Sequence, residues 1–254
     1  MKRIKLTVAY DGTHYCGWQI QPNGITVEEV LNRVISKALG EEIKIIGASR
    51  TDSGVHALGN VAVFNTNTII PPERICYVLN QELPEDIAIM KSEEVSLEFH
   101  PRYCNTKKTY EYQIMNQKII LPTLRNTHYF VSYEMNLEKM REAAEYLIGE
   151  HDFVSFSSAK TTVEDTVREI YSLDIIEDMN RENQILIRVR GNGFLYNMVR
   201  IIVGMLVNVG RGFYEPIHVK QLLESQNRTS DRVTAPPQGL CLVKIEYEGE
   251  VNIR

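Results

Sequence analysis

Apolar side chains recur at every second residue in some segments of this chain and about every 3.6 residues in others. This succession of strand and helix patterns constrains the fold more than any other feature. Every second residue of the segment 4–10 is apolar, as in a half-buried strand. Residues 26–39 instead carry the pattern of an amphipathic helix, which begins with a capping box at Thr26. Short strands interleaved with helices predict an α+β fold with mostly antiparallel sheets flanked by helices.

The same patterns and their bounding turn residues place the remaining elements. The predicted strands are 4–10, 43–46, 61–64, 87–95, 109–115, 170–176, 185–189 and 240–247, and the predicted helices are 26–39, 71–79, 137–148, 194–209 and 216–223. The helix 137–148 is expected to end at Gly149.

The segment 99–105 lies between two sets of these elements and is interpreted as a linker. A chain of 254 residues can form one large domain or two modest ones. We therefore predict an N-terminal α+β domain at 1–103 and a C-terminal α+β domain at 104–254, whose sheets meet at a cleft.

The charge is unevenly distributed, although the formal net charge is only −5. Residues 132–185 hold 13 acidic and 5 basic side chains, a balance of −8, whereas residues 186–244 hold 8 basic and 3 acidic ones, a balance of +5. Because phosphate binding depends on the local field, a negative net charge does not exclude nucleic acid. Scattered charge on two solvated surfaces is the alternative interpretation.

Several classes of protein are excluded by what the sequence lacks. The four cysteines show no CxxC pair or zinc-ligand spacing, so reduced thiols and no metal site are expected. No GxxxxGK[ST], HExxH, GxSxG or complete dinucleotide fingerprint occurs. The chain starts with a strand pattern rather than a signal peptide, and no apolar run approaches the roughly 18 residues that span a bilayer. A cytoplasmic protein without membrane contact is expected.

The loop 47–57 is the first candidate for chemistry. It places one carboxylate, Asp52, between two runs rich in β-branched residues, with Arg50 two residues before it. Gly47 and Gly54 bracket the loop, and a charged loop on a rigid frame is a common place for catalysis. A turn in which Asp52 only caps the backbone is the simpler alternative.

A second candidate combines cations with aromatic rings. In residues 102–112 a basic cluster runs into a strand that carries Tyr110 and Tyr112 on one face. Such a surface suits RNA, because phosphates attract cations and unstacked bases need a flat ring. Half-buried tyrosines with hydrated hydroxyls would give the same pattern without any RNA.

A third candidate is Arg200, which lies in a helix among apolar neighbours after the turn 191–193. A buried guanidinium costs several kcal/mol unless a carboxylate pairs with it, and Asp52 is one possible partner. Exposure of Arg200 to solvent is the alternative. The segment 150–158, with His151 beside Asp152, is interpreted as structural, since adjacent triad members would point apart.

Together these segments resemble the bacterial tRNA pseudouridine synthase A family over nearly the whole chain. The matching blocks occur in the expected order: Ala9-Tyr10-Asp11-Gly12-Thr13-His14-Tyr15-Cys16-Gly17-Trp18-Gln19, Arg50-Thr51-Asp52-x-Gly54-Val55-His56-Ala57, Lys108-Thr109-Tyr110-Glu111-Tyr112, Phe194-Leu195-x-x-Met198-Val199-Arg200 and Ala235-Pro236-Pro237-x-Gly239-Leu240. Two departures lie in the second block and its flank, with Ser49 where the family usually has glycine and Ser53 where it usually has alanine.

The resemblance implies a pseudouridine synthase fold with a central RNA-binding cleft, and isomerisation of uridine to pseudouridine at positions 38, 39 and 40 of the tRNA anticodon arm. It also implies a homodimer that needs no metal, nucleotide or redox cofactor. Asp52 would be the essential carboxylate, acting either as the nucleophile at C1′ or as the base for the 2′ proton.

The resemblance implies further substrate contacts. Tyr110 would hold the uracil face, Arg50 would fill the gap left by the flipped base, and Arg200 would pair with Asp52 and lower its pKa. Phosphates would be bound by four further cations: Lys107, Lys108, Arg228 and Arg232.

Two other functions stay open from the residues alone. A non-catalytic RNA-binding protein would keep the basic surface and the tyrosines while Asp52 serves only structure. An Asp-based hydrolase of small molecules would act without RNA, although the sequence provides no evident activated water or oxyanion site.

Overall fold

A computed structural model describes residues 1–158, 165–177, 183–228 and 232–248. Its strands are β1 (Lys2–Tyr10), β2 (Ile46–Gly47), β3 (His56–Thr66), β4 (Ile87–Val95), β5 (Thr106–Asn116), β6 (Tyr129–Val131), β7 (Gly149–Asp152), β8 (Val167–Glu177), β9 (Gln184–Gly191) and β10 (Leu240–Tyr247). Its α-helices are α1 (Val27–Leu39), α2 (Ile75–Asn80), α3 (Leu137–Glu145), α4 (Met198–Gly210) and α5 (Ile217–Glu224).

The chain divides into two compact units. Unit 1 comprises Met1–Thr106 together with the chain from Leu242 onward, and unit 2 comprises Lys107–Cys241. The predicted boundary after residue 103 lies close to the observed change at Thr106. The end of the chain differs from the predicted domains, because β10 returns to unit 1 from Leu242.

Unit 1 is built on a sheet in the order β4-β1-β3-β10, with the short β2 also paired to β3. β1 pairs antiparallel with both β3 and β4. The predicted cap of α1 is confirmed, because the Thr26 hydroxyl accepts the N–H of Glu29 and Gly40 ends the helix with a left-handed φ of 66°. Helix α1 buries an apolar face: Val27, Val30, Leu31, Val34 and Ile35.

Unit 2 is built on strands in the order β5-β9-β8-β7, with β6 paired in parallel to β5. The predicted antiparallel pairing of 170–176 with 185–189 is confirmed by β8 and β9. Helix α4 supplies much of the core of this unit, since every residue of α4 except Arg200 is buried. The fold class predicted from the sequence, α+β with mostly antiparallel strands flanked by helices, is confirmed.

Several predicted bounds are wrong. The strand predicted at 61–64 is β3, which begins at His56, and the helix predicted at 71–79 is a 3-10 turn followed by α2, which begins at Ile75. Three other elements also differ. Of the predicted strand 43–46, only Ile46 is part of regular β-structure. Helix α3 ends at Glu145, not beside Gly149, because single turns link Leu147 to Ala144 and Ile148 to Glu145. Helix α4 begins at Met198 instead of 194, because Asn197 has a left-handed φ of 62° that a continuous helix cannot contain.

The four cysteines form no disulfide; Cys76 is buried and the other three are half-buried. No helix in the described ranges has both the length and the apolar character required to cross a membrane.

Candidate active site

Asp52 lies in the loop between β2 and β3 of unit 1. Its side chain is half-buried, and its main-chain carbonyl accepts the N–H of Val55 at 3.1 Å, which closes a tight turn around the carboxylate. Arg50 is exposed and makes no hydrogen bond or ion pair within the part of the chain that the structure describes. The loop therefore restrains the backbone of Asp52 and leaves the side chain of Arg50 exposed to solvent.

A buried polar network fixes the loop on the side before Asp52. The hydroxyls of Tyr10 and Thr51 share a hydrogen bond of 2.7 Å. The Asn60 side-chain N–H donates to the carbonyl of Ser49 at 3.0 Å and contacts the Tyr10 hydroxyl at 3.4 Å. Because all four residues are buried, the network replaces water around this part of the loop and restrains its backbone.

The segment 15–18 fixes the same loop through main-chain contacts. The N–H of Trp18 donates to Thr51 O at 3.1 Å, and the N–H of Gly54 donates to Tyr15 O at 3.3 Å. Gly17 has a φ of +82°, and a Cβ added there would lie 2.5 Å from Thr51 O. Only glycine allows this close approach, so the match at Gly17 has a steric reason.

The turn after β1 closes the other side of the loop. The Gly12 N–H donates to His56 Nδ1 at 3.0 Å, and a Cβ at Gly12 would lie 2.1 Å from Val55 O. Partial burial would raise the pKa of the neighbouring Asp11 carboxyl, but hydrogen bonds from Thr13 outweigh it and lower that pKa. Asp11 is therefore a turn residue that stays ionised at neutral pH.

Tyr110 lies on β5 of unit 2, where its ring contacts Phe194 edge-to-face at a centroid distance of 5.3 Å. Only 7% of Tyr110 is exposed, so its ring orientation is set by the core. Successive strand residues point to opposite faces, which separates Lys108 from Lys107. The Lys107 ammonium lies 5.7 Å from the ring centroid of Tyr171.

Arg200 is held by a second segment of unit 2. Its Nε donates to Ala235 O at 2.8 Å, and the Ala235 N–H donates back to Arg200 O at 3.0 Å. Its Nη1 donates to Asn197 Oδ1 at 2.9 Å. Arg200 is half-buried, and these bonds fix its guanidinium at the first turn of α4. The predicted pairing with Asp52 stays a prediction.

The segment 235–239 also fixes the strand that carries Tyr110. The Tyr112 hydroxyl donates to Pro236 O at 2.7 Å, and burial raises the pKa of this phenol. A Cβ at Gly239 would lie 2.6 Å from the Tyr112 ring, so only glycine fits. The sequence block around Pro236 therefore joins β5 to the start of α4.

The two remaining predicted phosphate contacts, Arg228 and Arg232, lie against the turn 155–157. Arg228 Nε contacts Ser157 Oγ at 3.3 Å, and Arg232 Nη1 donates to the carbonyls of Ser155 and Ser157. Burial and repulsion from Arg228 lower the pKa of Arg232. Some N–H groups of Arg228 and Arg232 are thus already used in hydrogen bonds within the protein.

Sequence reasoning placed Tyr10 and Thr51 in matching blocks without a restraining role, and it missed Asn60. Asn60 carried a usable signal, because a polar side chain within the apolar strand β3 requires a buried partner. Its partners could not be identified, since Tyr10 and Asn60 lie 50 residues apart. Within the described ranges no three His, Cys, Asp or Glu side chains are grouped as metal ligands would be.

Comparison with known proteins identifies similar sequences. A family model described as tRNA pseudouridine synthase matches residues 6–104 and 143–248. These ranges contain the loop of Asp52 and the start of α4.

Bacterial relatives named tRNA pseudouridine synthase A match over nearly the full length. One from Thermoanaerobacter sp. (strain X514) is 49% identical over 247 residues, which cover 97% of this chain and 100% of the relative. One from Clostridium acetobutylicum is 48% identical over 97% of this chain and 100% of its own. One from Exiguobacterium sp. is 46% identical over 98% of this chain and 99% of its own.

Proposed function

Since the chain belongs to the tRNA pseudouridine synthase family and is an isomerase acting on uridine in tRNA, we propose that Asp52 is the carboxylate on which its reaction depends. We further propose that its targets are uridines 38, 39 and 40 of the anticodon arm. The observation that carries the role of Asp52 is the restraint of its loop by Tyr10, Thr51 and Asn60.

The reaction redistributes bonds within a single nucleotide. The bond from C1′ to N1 breaks, the uracil turns while it stays bound, and a bond from C1′ to C5 forms. The C5 proton is lost and N1 gains a proton, so no oxidant, reductant or co-substrate is consumed. Asp52 would start this sequence either by attacking C1′ or by removing the 2′ proton.

A fixed carboxylate suits either role, because a reacting group misplaced by about 1 Å can lose 100-fold in rate. The hydrogen bonds to Ser49 O and Thr51 O hold the backbone before Asp52, and the turn to Val55 holds it afterwards. The carboxylate is therefore organised before the substrate arrives.

The other predicted substrate contacts belong to the same proposal. The ring of Tyr110, oriented by Phe194, would contact the uracil, and Arg200 would contribute the charge at the start of α4. Arg50 has no partner in the described chain and would occupy the gap left by the flipped base. The lysines and arginines at 107, 108, 228 and 232 would bind phosphates.

The decisive experiment maps pseudouridine on unmodified tRNA transcripts that carry uridine at positions 38, 39 and 40, after incubation with purified protein. The wild-type protein is expected to form pseudouridine at one or more of these positions. Asp52→Asn is expected to form none while it still binds tRNA, because the change removes only the charge.

Asp174→Asn is the matched control, since it makes the same chemical change at an exposed position of β8. It is expected to retain activity. Product from Asp52→Asn at the wild-type rate would refute the role of Asp52. Product at other uridines only would refute the anticodon arm as the target.

We also propose that the protein is a homodimer, as its resemblance to the family implies. Light scattering of the purified protein is expected to give twice the 29.2 kDa mass of one chain. A mass of one chain at the concentrations used for activity would contradict it.

A further inference from the structure

The turn after β4, at residues 99–103, is held more firmly than a simple linker requires. Arg3 Nη1 donates to Phe99 O at 2.8 Å, and the Tyr247 hydroxyl donates to Pro101 O at 3.2 Å. The rings of Phe99 and Tyr247 also meet edge-to-face at 5.0 Å. These contacts, all within unit 1, fix the backbone of the turn.

Arg102 is presented by this turn toward the Asp52 loop. Its main-chain N–H donates to His100 Nδ1 at 3.2 Å, and its side-chain Nε donates to Gly47 O at 2.7 Å. The residue is exposed, and no carboxylate in the described chain forms an ion pair with it. Its two Nη groups are thus left to contact a ligand at the start of the loop.

Among the described residues, the charges that act on Arg102 include a second guanidinium, Arg50, and one carboxylate, Glu28, with which it forms no ion pair. Partial burial and repulsion from the Arg50 guanidinium lower the pKa of Arg102. The opposing carboxylate, Glu28, accepts the N–H of Ile20 at 3.0 Å through Oε2. A bound anion would reduce the repulsion between these two guanidinium groups, and a guanidinium group can bind phosphate through two parallel hydrogen bonds.

Tyr103 adds an aromatic surface next to this charge. It is 86% exposed, and its ring is stacked on His100 with a centroid distance of 4.1 Å and an interplanar angle of 21°. Burial and repulsion from Arg102 lower the pKa of His100, which keeps its ring neutral and Nδ1 available as an acceptor. An oriented, exposed ring beside a cation is the arrangement that binds single-stranded RNA.

We infer that the turn 100–103 is an RNA-contact site, in which Arg102 binds a backbone phosphate and Tyr103 stacks on an unpaired base. The site adjoins the loop of Asp52 through Gly47, so its ligand is RNA close to the nucleotide that reacts. The inference rests on the proposed function, which identifies tRNA as the substrate. It adds Arg102 and Tyr103 to the RNA contacts already proposed for Arg50 and Tyr110.

The test measures tRNA affinity in the Asp52→Asn background at several salt concentrations, so that turnover does not interfere. Arg102→Gln is expected to weaken binding and to reduce the slope of log affinity against log salt by about 0.7–0.9, the value for one lost phosphate contact. Tyr103→Leu is expected to weaken binding about 5- to 150-fold, the range for one lost stacked base, with little change in slope.

Unit 1 contains a matched control pair. Arg74 and Tyr77 are both exposed, and the guanidinium of Arg74 lies 5.9 Å from the ring centroid of Tyr77. Arg74→Gln and Tyr77→Leu remove the same charge and ring, and both are expected to leave affinity and salt slope unchanged. Tyr103→Phe keeps the stacking ring and is expected to bind more tightly than Tyr103→Leu.

Unchanged affinity and slope in both Arg102→Gln and Tyr103→Leu would overturn the inference, as would equal losses in the control pair. Melting temperatures of all variants separate lost contacts from misfolding. The proposed function fails separately, because it predicts pseudouridine from the wild-type protein whereas this test reads only binding.

Discussion

The loop of Asp52 and the start of α4 both fix a charged side chain, but by different means. Around Asp52 main-chain bonds from the segment 15–18 are supplemented by side chains from distant positions, above all the buried hydroxyl of Tyr10 and the amide of Asn60. Around Arg200 both hydrogen bonds with the second segment use main-chain groups of Ala235: its carbonyl accepts from Arg200 Nε, and its N–H donates to Arg200 O.

The difference indicates where single substitutions act. A loop restrained by a few side chains changes geometry when one of them is lost, although the fold remains. The main-chain carbonyl and N–H that Ala235 offers to Arg200 survive most side-chain changes at position 235, because every residue has the carbonyl and every residue except proline has the N–H. Activity should therefore be more sensitive to changes around Asp52 than around Arg200.

The largest effect is expected from Gly17→Ala. The new Cβ would lie 2.5 Å from Thr51 O at a φ of +82°, so the carbonyl beside Asp52 must move. The rate of pseudouridine formation should fall at least about 100-fold, as expected for a displaced reacting group. Single-turnover assays measure this rate.

Gly40→Ala is the control for the backbone strain alone. Gly40 has a φ of +66° with nothing within 4 Å of the added Cβ. The substitution should lower the free energy of unfolding by about 1–2 kcal/mol and leave the rate of pseudouridine formation unchanged. Equal rate losses in Gly17→Ala and Gly40→Ala would show that the close contact of the new Cβ with Thr51 O is not the cause of the loss at Gly17.

The next largest effect is expected from Tyr10→Phe, which removes only the hydroxyl bound to Thr51. The value of kcat should fall about 10- to 100-fold with KM unchanged, because the loop shifts while the RNA surface stays intact. Tyr15→Phe is the control, since the partly buried Tyr15 hydroxyl donates to Asp86 and not to the loop. Equal kcat values for the two variants would contradict a positioning role for Tyr10.

A smaller effect is expected from Asn197→Gly at the other region. Glycine keeps the left-handed backbone at φ 62° but removes the Oδ1 that accepts from Arg200 Nη1. The rate should fall less than about 10-fold, because one hydrogen bond contributes about 1 kcal/mol and the bond to Ala235 remains. A rate loss as large as that of Tyr10→Phe would contradict the expectation that activity is less sensitive to changes around Arg200 than around Asp52.

The smallest effect is expected from Ser53→Ala, which introduces the residue that the family usually has. The Ser53 hydroxyl donates to Tyr15 O at 3.2 Å at the exposed edge of the loop. Losing it should change the unfolding free energy by less than about 0.5 kcal/mol and the rate by less than about threefold. A tenfold change would show that this edge also positions Asp52.

Much of the fold follows from local sequence. The strands predicted at 87–95 and 240–247 have the observed bounds of β4 and β10, and Thr26 and Gly40 limit α1 as predicted. These elements were predictable because side-chain period and capping groups act within a few residues. The family likewise followed from short blocks in a fixed order.

Other features failed or were missed because they depend on distant contacts. The start of α4 was placed too early, since nothing local shows that Asn197 adopts a left-handed conformation. The helix α3 was extended too far toward Gly149 because a turn and a helix share the same apolar spacing. The return of β10 to unit 1 was also missed.

The sequence by itself determined which carboxylate to test, since Asp52 lies in a family-specific loop between two apolar runs. Only the tertiary structure decided how that loop is held and which cations remain available. Tyr10 meets Thr51 across 41 residues, and Arg102 reaches Gly47 across 55. The physical reason is that local periodicity encodes which face of an element is buried, whereas hydrogen-bond partners are selected by the packing of elements far apart in the chain.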